Sequence, residues 1–378
     1  MKPDTTQYRL GLVMFGLLPF LAGLKGLMIP ANVTLLAPTA ALAAFVGGRW
    51  QRVGTPNVAD LALLALIGFM MLRLLASLNF VIGLPLDYGL HAISLLIVCP
   101  FMYYAGRTMV LELSSDHAVR LLGINIFVVT FFLIAMVAAP DFVKRNGLAA
   151  NSYYQYLGDG LAVAALTAWA FGYRSKFYWV YLLTALLLAA SGSRASAVAY
   201  AIAMAFSNIR LLTIGAIVTA PLGYWLSSII ASGAGLDWAG QFRVLSTFVA
   251  YFAQDEEDAS FSERQQFLDN AIDVITNQPI FGQIAYEVRL GEMGEYAHNI
   301  LHLWANFGII ALILMLIVLF GMPLARLLGR SPRDDRYPLP LLVFVATELL
   351  FFRHPENIVL FFALGILASL YGRQARNA

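Results

Sequence analysis

Apolar residues recur along this chain in runs too long and too uniform for the one-sided stripe of a soluble helix. The runs fall at approximately 10–29, 32–47, 58–78, 87–105, 121–139, 160–173, 177–191, 195–207, 210–231, 299–325, 338–352 and 357–371. A hydrocarbon layer about 30 Å thick needs about 20 apolar residues per helical crossing. Backbone crossing it must satisfy its own hydrogen bonds, which a helix does. The pattern predicts an all-α, polytopic membrane protein of about twelve transmembrane helices, built as a single membrane domain over 1–378. One long polar interval, 232–297, is predicted to be a helical loop subdomain between the ninth and tenth helices. The first run follows Lys2 and Arg9 and has no A-x-A-like cleavage site after it, so a retained helix is expected rather than a signal peptide.

Composition narrows the class further, with 60% hydrophobic and 12% charged residues leaving little chain for a separate soluble domain. The net charge of +2 carries no signal for a nucleic-acid partner, and none is expected; membrane lipid is the expected surrounding. Cys99 is the single cysteine, which excludes an intramolecular disulfide and a cysteine-based metal site. Placement of the charges says more than their sum. With the N-terminus inside, the inside connections carry Lys2, Arg9, Arg49, Arg52, Arg107, Arg120, Arg174, Lys176, Arg210, four arginines between Arg326 and Arg336, Arg373 and Arg376. Each inside connection has at least one basic residue, which by the positive-inside rule puts both termini in the cytoplasm. No internal repeat and no inverted symmetry of a transporter kind is visible.

Two outside connections are long. The first, 141–160, holds Asn151, Ser152, Tyr153, Tyr154, Gln155 and Tyr156, rings and amides suited to stacking on a sugar and bonding its hydroxyls. An aromatic belt at the membrane interface accounts for the same cluster. The second, from about 232 to 297, has the acidic turn Asp255-Glu256-Glu257-Asp258 and then Ser262-Glu263-Arg264-Gln265, which reads as a capping box with Ser262 as N-cap. A helix over 263–276 follows, closed by Pro279. Leu268, Ala271, Ile272 and Ile275 form its apolar stripe, and Arg264, four residues before Leu268, stands on that stripe.

Arg194, in Ser191-Gly192-Ser193-Arg194-Ala195-Ser196, sits between two apolar runs, where a guanidinium is costly unless an anion meets it. It is either a snorkelling helix-end arginine or part of an anion site to which the flanking serines add hydroxyl donors. Residues His298, His302 and Asn306 are spaced i, i+4, i+8 and share one face of the next helix, a polar stripe that should turn to the interior or a cavity. His298, predicted in that helix's first turn, would be kept neutral by the helix dipole and fit to act as a base. Helical i, i+4 histidines also bind zinc, but no Glu follows the first His as in H-E-x-x-H. Arg353, at the last outside connection, either lines the same chamber or packs a helix end.

Three motifs in this order resemble the O-antigen ligase and O-antigen polymerase superfamily. Ser193-Arg194-Ala195 is similar to its Ser-Arg-Gly motif, with Ala195 in place of glycine. Glu263-Arg264 through Asn277-Gln278-Pro279-Ile280-Phe281-Gly282 resembles its periplasmic helix and the Pro-Leu-x-Gly-like turn that ends it. His298-Asn299-Ile300-Leu301, with Gly308 downstream, resembles its His-Asn-x-x-Leu signature. The likeness covers roughly 185–325. It implies a bacterial inner-membrane glycosyltransferase with its active site on the periplasmic side, working without metal or other cofactor. A lipid or glycan acceptor hydroxyl would attack the anomeric carbon of an undecaprenyl-diphosphate-linked glycan donor. Arg194 and Arg264 would stabilise the leaving diphosphate, His298 would serve as base, and Arg243, Arg289, Asn299, His302, Tyr153, Tyr154 and Arg353 would contact substrate.

A ligase, with a lipid A-core acceptor, and a polymerase, with a second lipid-linked repeat unit, share all of these features; the matched motifs favour the ligase slightly. A lipid or anion transporter would also place arginines and a histidine inside a bundle, but it needs no docked periplasmic helix. The charge pattern makes a test available. Reporters fused at Arg49, Arg174 and Arg333 should report cytoplasm, and a reporter at Asp255 should report periplasm; cytoplasmic labelling of residue 255 would remove the whole mechanism.

Overall fold

The computed structural model describes residues 11–20, 56–77, 83–84, 86–109, 114–138, 153–171, 178–190, 193–207, 259–290, 297, 299–328, 338–353, 355 and 357–376. Among these there is no strand. After a helical segment at 11–20 the helices are α1 (Val58–Ala76), α2 (Leu86–Ile93), α3 (Cys99–Met109), α4 (Ser115–Ala138), α5 (Tyr153–Ala170), α6 (Tyr178–Ala190), α7 (Arg194–Ser207), α8 (Ala259–Asn277), α9 (Tyr286–Leu290), α10 (Leu301–Phe307), α11 (Ile309–Leu328), α12 (Leu339–Thr347) and α13 (Ile358–Arg376). A π-helical turn at Ser94–Val98 joins α2 to α3, and another at Glu348–Phe352 extends α12. Among the described residues two helices are long and apolar enough to cross a membrane alone, Val58–Ala76 and Asp116–Ile134; other apolar stretches, such as Trp179–Leu188 and Ile309–Ala325, are shorter. The predicted helices at 32–47 and 210–231 lie outside the described residues.

Three sequence expectations change. The tyrosine cluster, expected in a loop, opens α5, so Tyr153 and Tyr154 stand in its first turn. Helix α8 begins at Ala259, which puts Ser262 inside the helix instead of at its cap. The predicted continuous helix 299–325 is two helices, α10 and α11, broken at Gly308.

Contacts divide the chain into two units. The first contains 11–20 and α4 to α7. Its centre is α5, whose residues from Leu157 to Ala170 are buried on every side, as an apolar helix with no polar face must be. The buried Asn125 amide of α4 donates to the Phe15 carbonyl at 2.8 Å, and the Trp169 and Tyr181 rings meet edge-on with centroids 4.8 Å apart.

In the second unit α3 crosses α13 at near backbone contact. A methyl group at Gly106 would strike the Phe362 carbonyl, and one at Gly365 would strike the Tyr103 carbonyl. Small residues give membrane helices this approach, because packing and not water drives their association. Close by, the buried Asp60 carboxylate forms an ion pair with Arg107 and accepts from the Tyr103 hydroxyl at 2.9 Å. Asp60 also closes a capping box with Asn57 at the start of α1. Its charge is therefore spread over a guanidinium, a phenol and a helix N-terminus, as a carboxylate in an apolar layer requires. Gly68, on α1, has open space around it. Replacing Gly106 or Gly365 by Leu should cost at least about 3 kcal/mol, since neither carbonyl can yield. Gly68→Leu should be nearly silent. Thermal unfolding of the three detergent-solubilised variants checks this, and equal midpoints would refute it.

Candidate functional site

In the first unit the region around Arg194 is built by two helices. Gly158 of α5 lies so close to the start of α7 that a Cβ there would come within 2.6 Å of the Ser193 Cβ and 2.9 Å of the Ser196 Oγ. Next to it, fully buried Asp159 accepts from the Ser196 hydroxyl at 2.5 Å, and the Ser193 and Ser196 hydroxyls are 2.5 Å apart. The Ser193 carbonyl accepts from the Ala197 N–H at 3.0 Å, and Arg194 is the first residue of α7. The expectation that the serines supply hydroxyl donors to an anion is corrected here: both are buried and turned inward on Asp159 and each other. Asp159 was missed in the sequence, although a carboxylate inside an apolar run is a signal in itself.

In the second unit a turn docks into a broken helix. After α8, Pro279 to Gly282 meets the break between α10 and α11. The Ile309 N–H donates to the Pro279 carbonyl at 3.0 Å, the Gln283 N–H to the Ala305 carbonyl at 2.7 Å, and the Trp304 indole to the Pro279 carbonyl at 2.8 Å. Both glycines at the contact have positive φ, +63° at Gly282 and +86° at Gly308. A Cβ on Gly282 would lie 2.6 Å from the Ala305 oxygen, and one on Gly308 would strike the Ile280 carbonyl. Only glycine meets both demands. Arg73, at the end of α1, covers the turn from outside, donating to the Phe281 carbonyl at 2.8 Å with its guanidinium 5.3 Å from the Phe281 ring centre.

Behind the turn lies a buried polar cluster. Ala285 holds the left-handed conformation at φ +53°, unusual for a non-glycine residue. Its N–H donates to the Asn306 Oδ1 at 2.7 Å, which leaves the amide nitrogen of Asn306 to face the His302 Nε2 at 3.0 Å and Glu287 at 3.4 Å. Because an amide nitrogen only donates, His302 Nε2 accepts, and in the neutral ring the proton is on Nδ1, facing the Tyr286 hydroxyl at 3.5 Å. The Tyr286 hydroxyl accepts from the Ala297 N–H at 3.1 Å. Burial above all raises the Tyr286 pKa; the Ala297 bond opposes this and the Glu287 charge adds to it, so the phenol stays neutral.

The sequence-predicted residues are distributed as follows. His298 and Arg243 lie outside the described residues. Helix α10 begins at Leu301, so its first turn does not include residue 298, contrary to expectation. Asn299 accepts from the Leu301 N–H at 2.9 Å, and the next residue's N–H donates to the Leu349 carbonyl at 2.8 Å, tying the opening of α10 to the turn that precedes Arg353. Arg353 is buried with its Nε 3.3 Å from the Glu348 carboxylate. Asn299, His302 and Arg353 thus share one region. Arg289 lies in α9. Arg264, in α8, stands about two turns before Ala271, on the face where Ala271, Val274 and Ile275 pack with Tyr286, Ala297 and Ala305. Arg194, Tyr153 and Tyr154 belong to the first unit. Among the described residues no group of three or more His, Cys, Asp or Glu side chains is arranged to hold a metal ion.

Residues 179–316 match the family model described as O-antigen ligase, a stretch that holds Arg194, Arg264, Asn299, His302 and the docked turn. No curated protein and no solved structure matches the chain. Proteins of this family are membrane proteins and glycosyltransferase-like ligases or polymerases that use lipid-linked glycans, in keeping with the apolar helices described above. The O-antigen ligase match over 179–316, about a third of the chain, supports the O-antigen ligase/polymerase superfamily.

Proposed function

We propose that the protein is an integral-membrane glycosyltransferase that moves a glycan from undecaprenyl diphosphate to an acceptor hydroxyl at the periplasmic face of the bacterial inner membrane. Its acceptor is lipid A-core, as in an O-antigen ligase. The observation that carries this reading is the ligase domain at 179–316, in which Arg194 opens a helix and Arg264 stands on the docked face of another. The chain is one membrane domain of about twelve spans with cytoplasmic termini and 232–297 as its periplasmic subdomain. Geometry within the second unit supports this sidedness. Asn57, Asp60, Arg107 and the Ala368 carbonyl gather at one end of α1, and Arg73, Phe281 and Gly282 at the other.

In the proposed reaction the acceptor oxygen attacks the anomeric carbon, the bond from that carbon to the diphosphate oxygen breaks, and the hydroxyl proton passes to His298. Charge accumulates on the lipid diphosphate. Arg194 and Arg264 meet it, with Arg243 and Arg289 adding positive field, so no cation is required. Tyr153, Tyr154 and Asn299 contact the sugars. His302 and Arg353, whose partners Asn306 and Glu348 lie in the interior, shape the site from within.

Transfer from a lipid-diphosphate oligosaccharide to lipid A-core, by purified protein in lipid, tests the reading directly. Product only with a second lipid-linked repeat unit would make the protein a polymerase, and movement of donor across the membrane without product would make it a transporter. Arg194→Ala and Arg264→Ala should each lower turnover by about 100- to 1,000-fold in inserted protein, because a charge-assisted contact to the leaving group is gone. Lysine should rescue poorly, since it keeps the charge and loses the fork. Near-normal activity in both alanine variants would return these residues to the role of snorkelling side chains.

His298 and His302 should behave differently. His298→Ala is expected to stop transfer and preserve donor binding, as loss of a base does. His302→Ala is expected to cost about 1–3 kcal/mol of stability, because it removes the shortest bond of the Asn306 amide nitrogen and empties a buried position, with turnover per folded molecule largely retained. EDTA should change neither. Equal loss in the two variants, together with EDTA inactivation of the wild type, would replace the base by a metal site.

A further inference from the structure

Three buried side chains with no part in the proposed chemistry join the two helices that meet at Arg194. Asp159, Ser193 and Ser196 are all fully buried, so none of them touches substrate. The Ser196 hydroxyl gives its proton to the Asp159 Oδ1 at 2.5 Å. A hydroxyl has one proton, so the contact between the two serine oxygens is Ser193 donating to Ser196. The bonds therefore run in one direction, from Ser193 through Ser196 to Asp159, and such chains strengthen each member. One end of the chain is the residue whose carbonyl takes the helical bond from Ala197. The other end is in α5, one residue from Gly158, whose missing side chain lets α7 approach. Arg194 is the first helical residue, between the two serines.

We infer that Asp159 is a positioning residue for the transfer reaction: acting through Ser196 and Ser193, it fixes where α7 begins and hence where Arg194 presents its charge to the donor diphosphate. This rests on the reading of Arg194 as the diphosphate contact. A helix start free to slide or rotate by a fraction of a turn would move a bidentate donor off its target, and misplacement of that size lowers rate without removing the helix. What the chain needs from Asp159 is an acceptor oxygen of the right reach, which asparagine also supplies.

The test compares Ser196→Ala, Asp159→Ala and Asp159→Asn in full-length protein in lipid, using a lipid-diphosphate oligosaccharide as donor. For Ser196→Ala and Asp159→Ala, kcat/KM for the donor should fall about 10-fold or more, expressed per donor-binding molecule. The acceptor KM should not move. Asp159→Asn should stay within about 3-fold of wild type, because the acceptor oxygen remains. Ser196→Ala removes one oxygen and serves if Asp159→Ala fails to fold. Wild-type kcat/KM in Ser196→Ala, or a lowered thermal midpoint with kcat/KM unchanged, would overturn the positioning role. Loss in Asp159→Asn equal to that in Asp159→Ala would overturn it too, since the charge and not the bonded chain would then matter. Arg194→Ala separates the two levels. If it is inactive while Ser196→Ala is normal, only the positioning role fails; if it is active, the reading of Arg194 fails first.

Discussion

The second unit depends on a backbone-to-backbone contact, the fit of the Pro279–Gly282 turn into the helix break at Gly308. A broken helix leaves N–H and carbonyl groups without partners, which in a water-poor setting is costly. Here the turn supplies them, taking the Ile309 N–H on the Pro279 carbonyl and giving the Gln283 N–H to the Ala305 carbonyl. The fit requires two glycines facing each other at positive φ, and it makes α8, α9 and α10 one body. Ala271, Val274 and Ile275 of α8 are thereby held against Ala297, in the segment leading into α10.

The buried charged side chains and His302 are each committed to a partner in the interior, as low dielectric demands. Asp60 is met by Arg107 and Tyr103, Arg353 by Glu348, Asp159 by Ser196, and His302 by Asn306. Two residues that look functional from sequence, His302 and Arg353, are among those committed. Their side chains hold the region together, and this bears on how its chemistry is divided: a ring whose Nε2 already accepts from Asn306 is poorly placed to take an acceptor's proton.

The same network carries strain. Ala285 is held in a left-handed conformation by the Asn306 carboxamide and by close packing around a fully buried Tyr286. The Tyr286 phenol, kept neutral by burial, accepts from Ala297. Local strain of about 1–2 kcal/mol persists only where surrounding contacts over-determine it, and those contacts lie between the docked turn and α10.

From the sequence alone the all-helical class, the apolar segments and the superfamily were legible, because each rests on local quantities: hydropathy over some twenty residues and short motifs in a fixed order. So were the shared face of His302 and Asn306 and part of the docking face of α8: Ala271 and Ile275 pack inward as helical spacing expects, but Ile272, placed on the same stripe, is 46% exposed, and Val274 packs in its stead. Tertiary structure decided what spacing cannot express. Nothing local says that the helix after the loop stops at Gly308, since that break exists only because a turn some thirty residues earlier fills it. The serines beside Arg194 read as anion donors until Asp159, 37 residues away from Ser196 in sequence, claims their hydroxyls. The partner of a buried polar group is chosen by which helices pack together, and hydropathy records only that they will be buried.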